Sequence, residues 1–112
     1  MESILTSIKA HLGIVEEYEH FDRQIIEHIN TVMSDLNQLG IGPEEGFRIE
    51  DKTSTWSELV PIEDLKLDSV KSYIFLRVKL LFDPPSGSAV LASYERQIEK
   101  MEWRLMVAAE SS

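Results

Sequence analysis

The stretch LLFDPPSGSAV, residues 80–90, separates two long segments whose apolar residues recur at helical spacing. Pro85 has no backbone N–H and crowds the preceding helical turn, and Pro84 pushes Asp83 out of the α-helical region. A helix that reaches this point must therefore end at Phe82 or Asp83, and a serine after the prolines can cap the next helix. So short a connection predicts that the flanking helices are antiparallel neighbours, and the stiff corner fixes the angle between them.

The helix predicted before this break, over residues 63–83, carries apolar side chains on most of its circumference. Beside its main stripe, a second stripe lies roughly 120–140° away around an ideal helix and contains Tyr73, Leu76 and Leu80. A helix that is apolar on most sides is buried on most sides, and in a chain this short one layer of structure can hardly cover both stripes. The main stripe consists of Leu67, Val70, Ile74, Val78 and Leu81.

The helix predicted after the break, over residues 88–109, has one apolar stripe and an opposite face that should meet water. Trp103 and Val107 are four residues apart on that face, beside Arg96 and Lys100. Three glutamates form an acidic ridge whose spacing is repulsive unless a cation meets it. The ridge consists of Glu95, Glu99 and Glu102, and the stripe of Val90, Leu91, Tyr94, Ile98, Met101 and Leu105.

Two earlier helices are predicted over residues 3–12 and 22–39. The first ends at Gly13, and the second begins with Asp22 as its predicted N-cap and ends at the glycine-rich LGIGPEEG. The second helix has the cleanest apolar stripe of the chain. That stripe consists of Ile25, Ile29, Val32, Met33, Leu36 and Leu39.

Residues 41–61 break the helical pattern. Phe47 and Ile49 alternate with charged residues in the period of two that is typical of a strand, and Trp56 follows a turn at DKTST. We therefore predict an extended excursion with a short β-like hairpin. An isolated hairpin is marginal in water, so this segment needs cover from the helices or from another chain.

These patterns predict a mostly α fold, a small helical bundle of about four helices with the hairpin between the second and third. We expect residues 1–112 to form one domain, with 41–61 as an excursion that can be flexible and 110–112 as a frayed terminus.

The composition is typical of a soluble globular protein, with 43% hydrophobic residues and no cysteine for disulfides or thiolate metal sites. No apolar run approaches the roughly 20 residues of a membrane span, and the start is a poor signal peptide, which favours a reducing cytoplasm. The formal net charge of -9, from 20 acidic and 11 basic residues, argues against tight duplex binding. It would allow DNA to slide past without sticking.

The sequence predicts no catalytic residue, no cofactor and no metal site, so we expect the protein not to be an enzyme. His11, His20 and His28 lack the spacing of a metal-binding helix, and the chain has no phosphate loop, nucleophile elbow or dinucleotide fingerprint. Asp64 and Asp68 lie one helical turn apart, and a solvated acidic face explains them better than an acid–base pair.

Three features exceed what a small monomer needs: the doubly apolar helix, the outward pair on the last helix and the excursion. Either all three fold onto one core or another chain covers them, because large exposed apolar patches are unusual on monomers. The candidate interface residues are Phe47, Ile49, Trp56, Tyr73, Leu76, Leu80, Trp103 and Val107. The residues assigned to turns and caps are Asp22, Asp83, Pro84 and Pro85.

Four segments, together with Trp56, resemble a family of small proteins of tailed bacteriophages and prophages, the head–tail connector or adaptor proteins of the head-completion type. The resemblance covers nearly the whole chain. Its most specific piece is LLFDPP, followed by the helix led by Asp22 with its Asn30. These are packing and turn motifs, so they specify a fold more firmly than a mechanism. The segments are HFDRQIIEHIN (20–30), LNQLGIGPEEGFRI (36–49), VKSYIFLRVKLLFDPP (70–85) and EKMEWRLMVAAE (99–110).

The resemblance implies a helical subunit of a ring that docks beneath the portal, extends the DNA channel and supports the next head-completion or tail protein. The implied partners are copies of the same chain, the portal protein and that next protein, while DNA passes without sequence-specific binding and no membrane takes part. A dodecamer is one candidate for the ring, and isolated subunits can be monomeric. The implied location is the head–tail junction of the virion, after synthesis in the host cytoplasm.

Three alternatives stay open. A small helical regulatory or partner-binding module encoded by a prophage would bury the same apolar faces against one host protein without forming a ring. A hydrolase or nuclease built on carboxylates would need Asp22 or Asp83 for metal-dependent turnover. Tail-completion proteins of similar size occur beside connectors in the same genomes, although the helical content and the FDPP motif favour a connector.

Overall fold

A computed structural model describes residues 2–61, 64 and 66–110 of the protein. The described residues form five helices, α1 (Ile4–His11), α2 (Asp22–Gln38), α3 (Trp56–Leu59), α4 (Lys66–Phe82) and α5 (Ser88–Glu110). The predicted small, mostly helical bundle is confirmed, with the short α3 as an additional helix. The predicted helix start at position 63 and positions 111–112 of the predicted frayed terminus lie outside the described residues.

The helices are arranged around α4, which packs against α1, α2 and α5, while α1 also packs against α2. The molecule is flat, with principal extents of 39 × 36 × 21 Å. Its thickness matches two helices of about 10 Å each. The helix α5 packs mainly against α4, and its carboxyl end approaches that of α2.

The core lies where α1, α2 and α4 meet, and it confirms the predicted stripe of α2 apart from Leu39, which is half-buried. The excursion between α2 and α4 adds five side chains to this core. The buried stripe of α2 consists of Ile25, Ile29, Val32, Met33 and Leu36. The contribution of the excursion consists of Ile41, Ile49, Trp56, Leu59 and Val60.

The helix α4 ends at Phe82, as the prolines predicted, and α5 begins at Ser88, so Ser88 is the first residue of that helix and not its cap. The backbone N–H of Asp83 donates to the carbonyl of Lys79 at 2.8 Å, and the Asp83 carboxylate pairs with the Lys79 ammonium at 3.0 Å. Leu81 and Val90 were predicted in core stripes and are instead exposed. Both lie in terminal helical turns next to the corner, where the neighbouring helices cover less of their surface.

The predicted hairpin is wrong: described residues 41–55 form turns and irregular structure, with a single antiparallel bridge between Ser3 and Thr55. The N–H of Ile4 donates to the carbonyl of Ser54 at 3.0 Å across this bridge. The excursion therefore does not pair with itself. Its end pairs with the segment before α1, and the side chain of Asn30 on α2 hydrogen-bonds to its backbone at Ile49.

Asp22 does not cap α2. It is the first residue of that helix, and Phe21 occupies the N-cap position without a side-chain hydrogen bond. The helix ends as predicted in the glycine-rich segment, where Gly40 adopts φ +88. A Cβ at Gly40 would lie 3.2 Å from the Cβ of Ala109, so this glycine also lets the carboxyl ends of α2 and α5 approach closely.

Candidate interaction surfaces

Three of the predicted interface residues, Ile49, Trp56 and Tyr73, are buried inside the subunit. The expectation that they offer surface to another chain is therefore wrong. The indole Nε1 of Trp56 donates to Ser7 Oγ at 3.1 Å, and the ring of Phe75 meets the indole edge-on at a centroid distance of 5.9 Å. Trp56 thus fastens α3 to α1 and α4.

Three others, Phe47, Leu76 and Leu80, are half-buried, so the chain itself covers the second stripe of α4 in part. Leu76 lines an open groove of about 380 Å³ between α1 and α5, together with His11 and other residues.

Tyr73 is the centre of a polar cluster that joins α2, α4 and α5. Its hydroxyl donates to Glu102 Oε2 at 2.7 Å and accepts from Arg77 Nη1 at 2.6 Å, while Arg77 Nη2 donates to Asp35 Oδ2 at 2.8 Å. Burial, reinforced by the bond to the Glu102 carboxylate, raises the pKa of Tyr73 far above its ordinary value, so the hydroxyl stays protonated.

This cluster supplies a cation to one residue of the acidic ridge of α5, because Arg77 Nη1 lies 3.8 Å from Glu102 Oε2. The three-helix contact orients α5 on α4. It therefore also sets the direction in which the outer side of α5 points. Sequence reasoning identified the ridge but missed Arg77 as its partner.

Lys9 of α1 is a second group that sequence reasoning missed, and only 2% of its surface is exposed. Its ammonium pairs with Asp22 Oδ1 at 2.8 Å and donates to the carbonyl of Glu16 at 2.9 Å. The available signal was the position of Lys9 next to Ile8 in the apolar stripe of the first helix. A buried charge needs such partners, so this contact fastens the connection between α1 and α2 to the body.

That connection, residues 14–20, presents apolar and acidic side chains to solvent: Val15 is 66% exposed and Tyr18 50%. A hydrogen bond from Tyr18 N to the Val15 carbonyl, 3.1 Å long, closes a turn. The ring of Tyr18 contacts Phe21, which meets Phe82 at a centroid distance of 5.3 Å, so the connection lies at the carboxyl end of α4. Its exposed acidic residues are Glu16, Glu17 and Glu19.

The outer face of α5, defined here as Arg96, Lys100 and Trp103, is the other exposed surface that combines charge with an aromatic ring. Trp103 is 62% exposed, and the exposed Val107 adjoins it, which confirms their predicted outward position. Among the ion pairs of the described residues, none includes Arg96 or Lys100. A part in an interface stays a prediction for Trp103 and Val107.

The remaining surface shows little that points to small-molecule chemistry. One groove, of about 690 Å³, is open to solvent and lies between α2 and residues 45–48. In the described part of the chain, no group of three or more metal-ligating side chains could hold a metal ion, and no helix is long and apolar enough to cross a membrane.

Comparison with known proteins gives one match. The sequence profile of a family described as phage connector protein matches residues 4–112. No curated protein and no solved structure matches the chain. The match confirms the family resemblance inferred from the packing and turn motifs.

Proposed function

Because the chain belongs to the phage connector protein family, we propose that it is a virion subunit that forms an oligomeric ring beneath the portal. The ring extends the DNA channel and supports head completion or tail attachment. The observation that carries this proposal is the family match over residues 4–112, which includes every helix of the described fold.

The fold supports this role because it holds its surfaces rigidly. The proline corner sets the turn between α4 and α5, and the Tyr73 cluster ties α5 to two other helices. A subunit of a closed ring has to present its contact surfaces at one fixed angle, since angular errors add up around the ring.

The charge of the chain also supports a channel role. A net charge of -9 on each subunit is multiplied in a ring, and an acidic wall repels the phosphates of passing DNA. DNA then moves through the ring without being held by it. The proposed partners of the ring are the portal protein on one side and the next head-completion or tail protein on the other.

Electron microscopy of portal particles tests the proposal. Purified protein is mixed with portal particles of the same phage, and we expect an additional ring of density on the portal, with a subunit number that can be counted. Portal particles of an unrelated phage are the control. Absence of extra density on the matching portal at saturating protein would overturn the proposal.

A further inference from the structure

Two exposed surfaces of the subunit are chemically complementary. The outer face of α5 places two cations, which make no ion pair within the described residues, around an exposed tryptophan. The connection 14–20 places carboxylates around the exposed Val15 and Tyr18. The chain has a net charge of -9, but this face exposes Arg96 and Lys100 against the single carboxylate of Glu99, and its net positive charge favours an acidic partner.

Within one subunit, Trp103 is held away from the connection. Phe21 and Phe82 hold the connection at the carboxyl end of α4. Trp103 directly follows Glu102, which bonds to Tyr73, so it lies beside an earlier turn of α4, roughly 13 Å away along the helix axis by the rise of an α-helix.

A contact of the connection with itself would place its glutamates opposite each other, which is unfavourable. A contact between the two different surfaces pairs opposite charges and buries the apolar side chains of both. Such a heterologous contact repeats from one copy to the next, and it closes into a ring when the rotation permits.

We propose that the outer face of α5 in one subunit binds the connection 14–20 of a second copy of this chain, head to tail. This inference rests on the proposed function, since it names the contact that builds the ring. Trp103 packs against Val15 and Tyr18 of the neighbour, and Lys100 and Arg96 meet its glutamates. Tryptophan, tyrosine and arginine are the residues that most often dominate the binding energy of an interface.

Both surfaces are held in place before they bind. Lys9 fastens the connection through Asp22 and Glu16, and the Tyr73 cluster orients α5. Preorganisation lowers the entropy cost of association. The contact has few apolar anchors, so a single copy of it is weak, and assembly on the portal strengthens it by raising the effective concentration of neighbours.

Cross-linking on the portal tests this contact, and a chain without cysteine makes the experiment clean. His20→Cys reports on the end of the connection and Glu99→Cys on α5 beside its outer face, and neither removes a side chain named in the proposed pairing. We mix the two variants with portal particles and add a short thiol-reactive cross-linker. The expected product is a dimer that joins positions 20 and 99. A matched control pairs Glu99→Cys with Lys52→Cys, which is exposed in the excursion.

Charge reversal supplies the second arm, with the same cysteine reporters. Lys100→Glu and Glu17→Lys should each lower the yield of the dimer about tenfold, the size expected for losing a close charge pair at an interface. Both reversals in every chain should restore the yield, because the charges again match across the contact. Lys52→Glu makes the same charge change elsewhere and should leave the yield unaltered. Circular dichroism confirms that each variant is folded.

The outcomes separate this contact from the proposed function. The contact is overturned, while the ring proposal stands, if a ring forms on the portal without cross-links between positions 20 and 99. The same holds if the charge reversals leave the yield of cross-linked dimer unchanged. Cross-links between two copies of position 99 in the single variant show a self-contact of α5 and also overturn it. If wild-type protein forms no ring on the portal, the proposed function fails and the contact fails with it.

Discussion

Asn30 holds the backbone of Ile49 as a neighbouring strand would. Its side-chain Nδ2 donates to the Ile49 carbonyl at 2.9 Å, and its Oδ1 accepts from the Ile49 N–H at 2.8 Å. The Ile49 side chain is buried, so the backbone groups beside it need partners inside the protein. The side-chain amide of Asn30 therefore supplies the two hydrogen bonds to Ile49 that the second strand of a hairpin would have made.

Replacing Asn30 with alanine should destabilise the protein by about 2–4 kcal/mol, because two backbone groups of Ile49 lose their partners. The control is Asn37→Ala, which removes an amide that donates to the carbonyl of Pro43 at 3.1 Å. Urea unfolding measures both variants. A loss in Asn30→Ala no greater than in Asn37→Ala would show that the amide does not secure the excursion.

Removing the hydroxyl of Tyr73 should cost about 1–3 kcal/mol in free energy of unfolding, since Glu102 and Arg77 each lose a hydrogen-bond partner at a partly buried site. Tyr94→Phe is the matched control, because Tyr94 is a half-buried tyrosine of α5. Thermal and urea unfolding compare the two. Equal stability of the two variants would show that the hydroxyl of Tyr73 does not stabilise the packing of α5 on α4.

Titration of the same tyrosine should make the free energy of unfolding depend on pH in the alkaline range. Burial raises the pKa of Tyr73 in the folded protein, whereas the unfolded chain loses this proton near the ordinary pKa of about 10. Above that pH the folded state binds more protons than the unfolded state, so the free energy of unfolding falls as pH rises. The fall should be steeper in wild type than in Tyr73→Phe, and parallel curves would contradict this.

The two tryptophans should respond in opposite ways to replacement by alanine. Trp103→Ala should change the free energy of unfolding by no more than about 0.5 kcal/mol, because most of the side chain is exposed. Trp56→Ala should cost about 3–5 kcal/mol, because it empties a buried site and removes the bond to Ser7. Chemical denaturation measures both. A large loss in Trp103→Ala would place that residue in the core.

Replacing both Pro84 and Pro85 with alanine should loosen the corner between α4 and α5 while leaving the helices intact. We expect ring formation on the portal to fall more than the helix content seen by circular dichroism. Pro61→Ala, at an exposed proline after α3, is the control. Unchanged assembly in the double variant would show that the corner does not set the geometry of the ring.

The helices were predictable because their signals are local. The prolines predict where α4 ends and that α5 starts after them, and the spacing of the apolar residues predicts the buried stripe of α2. The interface residues were less predictable: Trp103 is exposed as expected, whereas Trp56 is not. Helical periodicity shows which residues lie on the same face of a helix. The sequence of an irregular segment has no such period, so it does not show which side chains are buried.

By itself, then, the sequence determined that this protein is a set of amphipathic helices broken at a rigid corner, since periodicity and proline sterics act within a few residues. Only the tertiary structure decided that Asn30 pairs with Ile49, that Lys9 is buried against Asp22, and that Arg77 meets Glu102. Those contacts join residues far apart in the chain. Which side chain covers which depends on how the helices pack, and no local pattern encodes it.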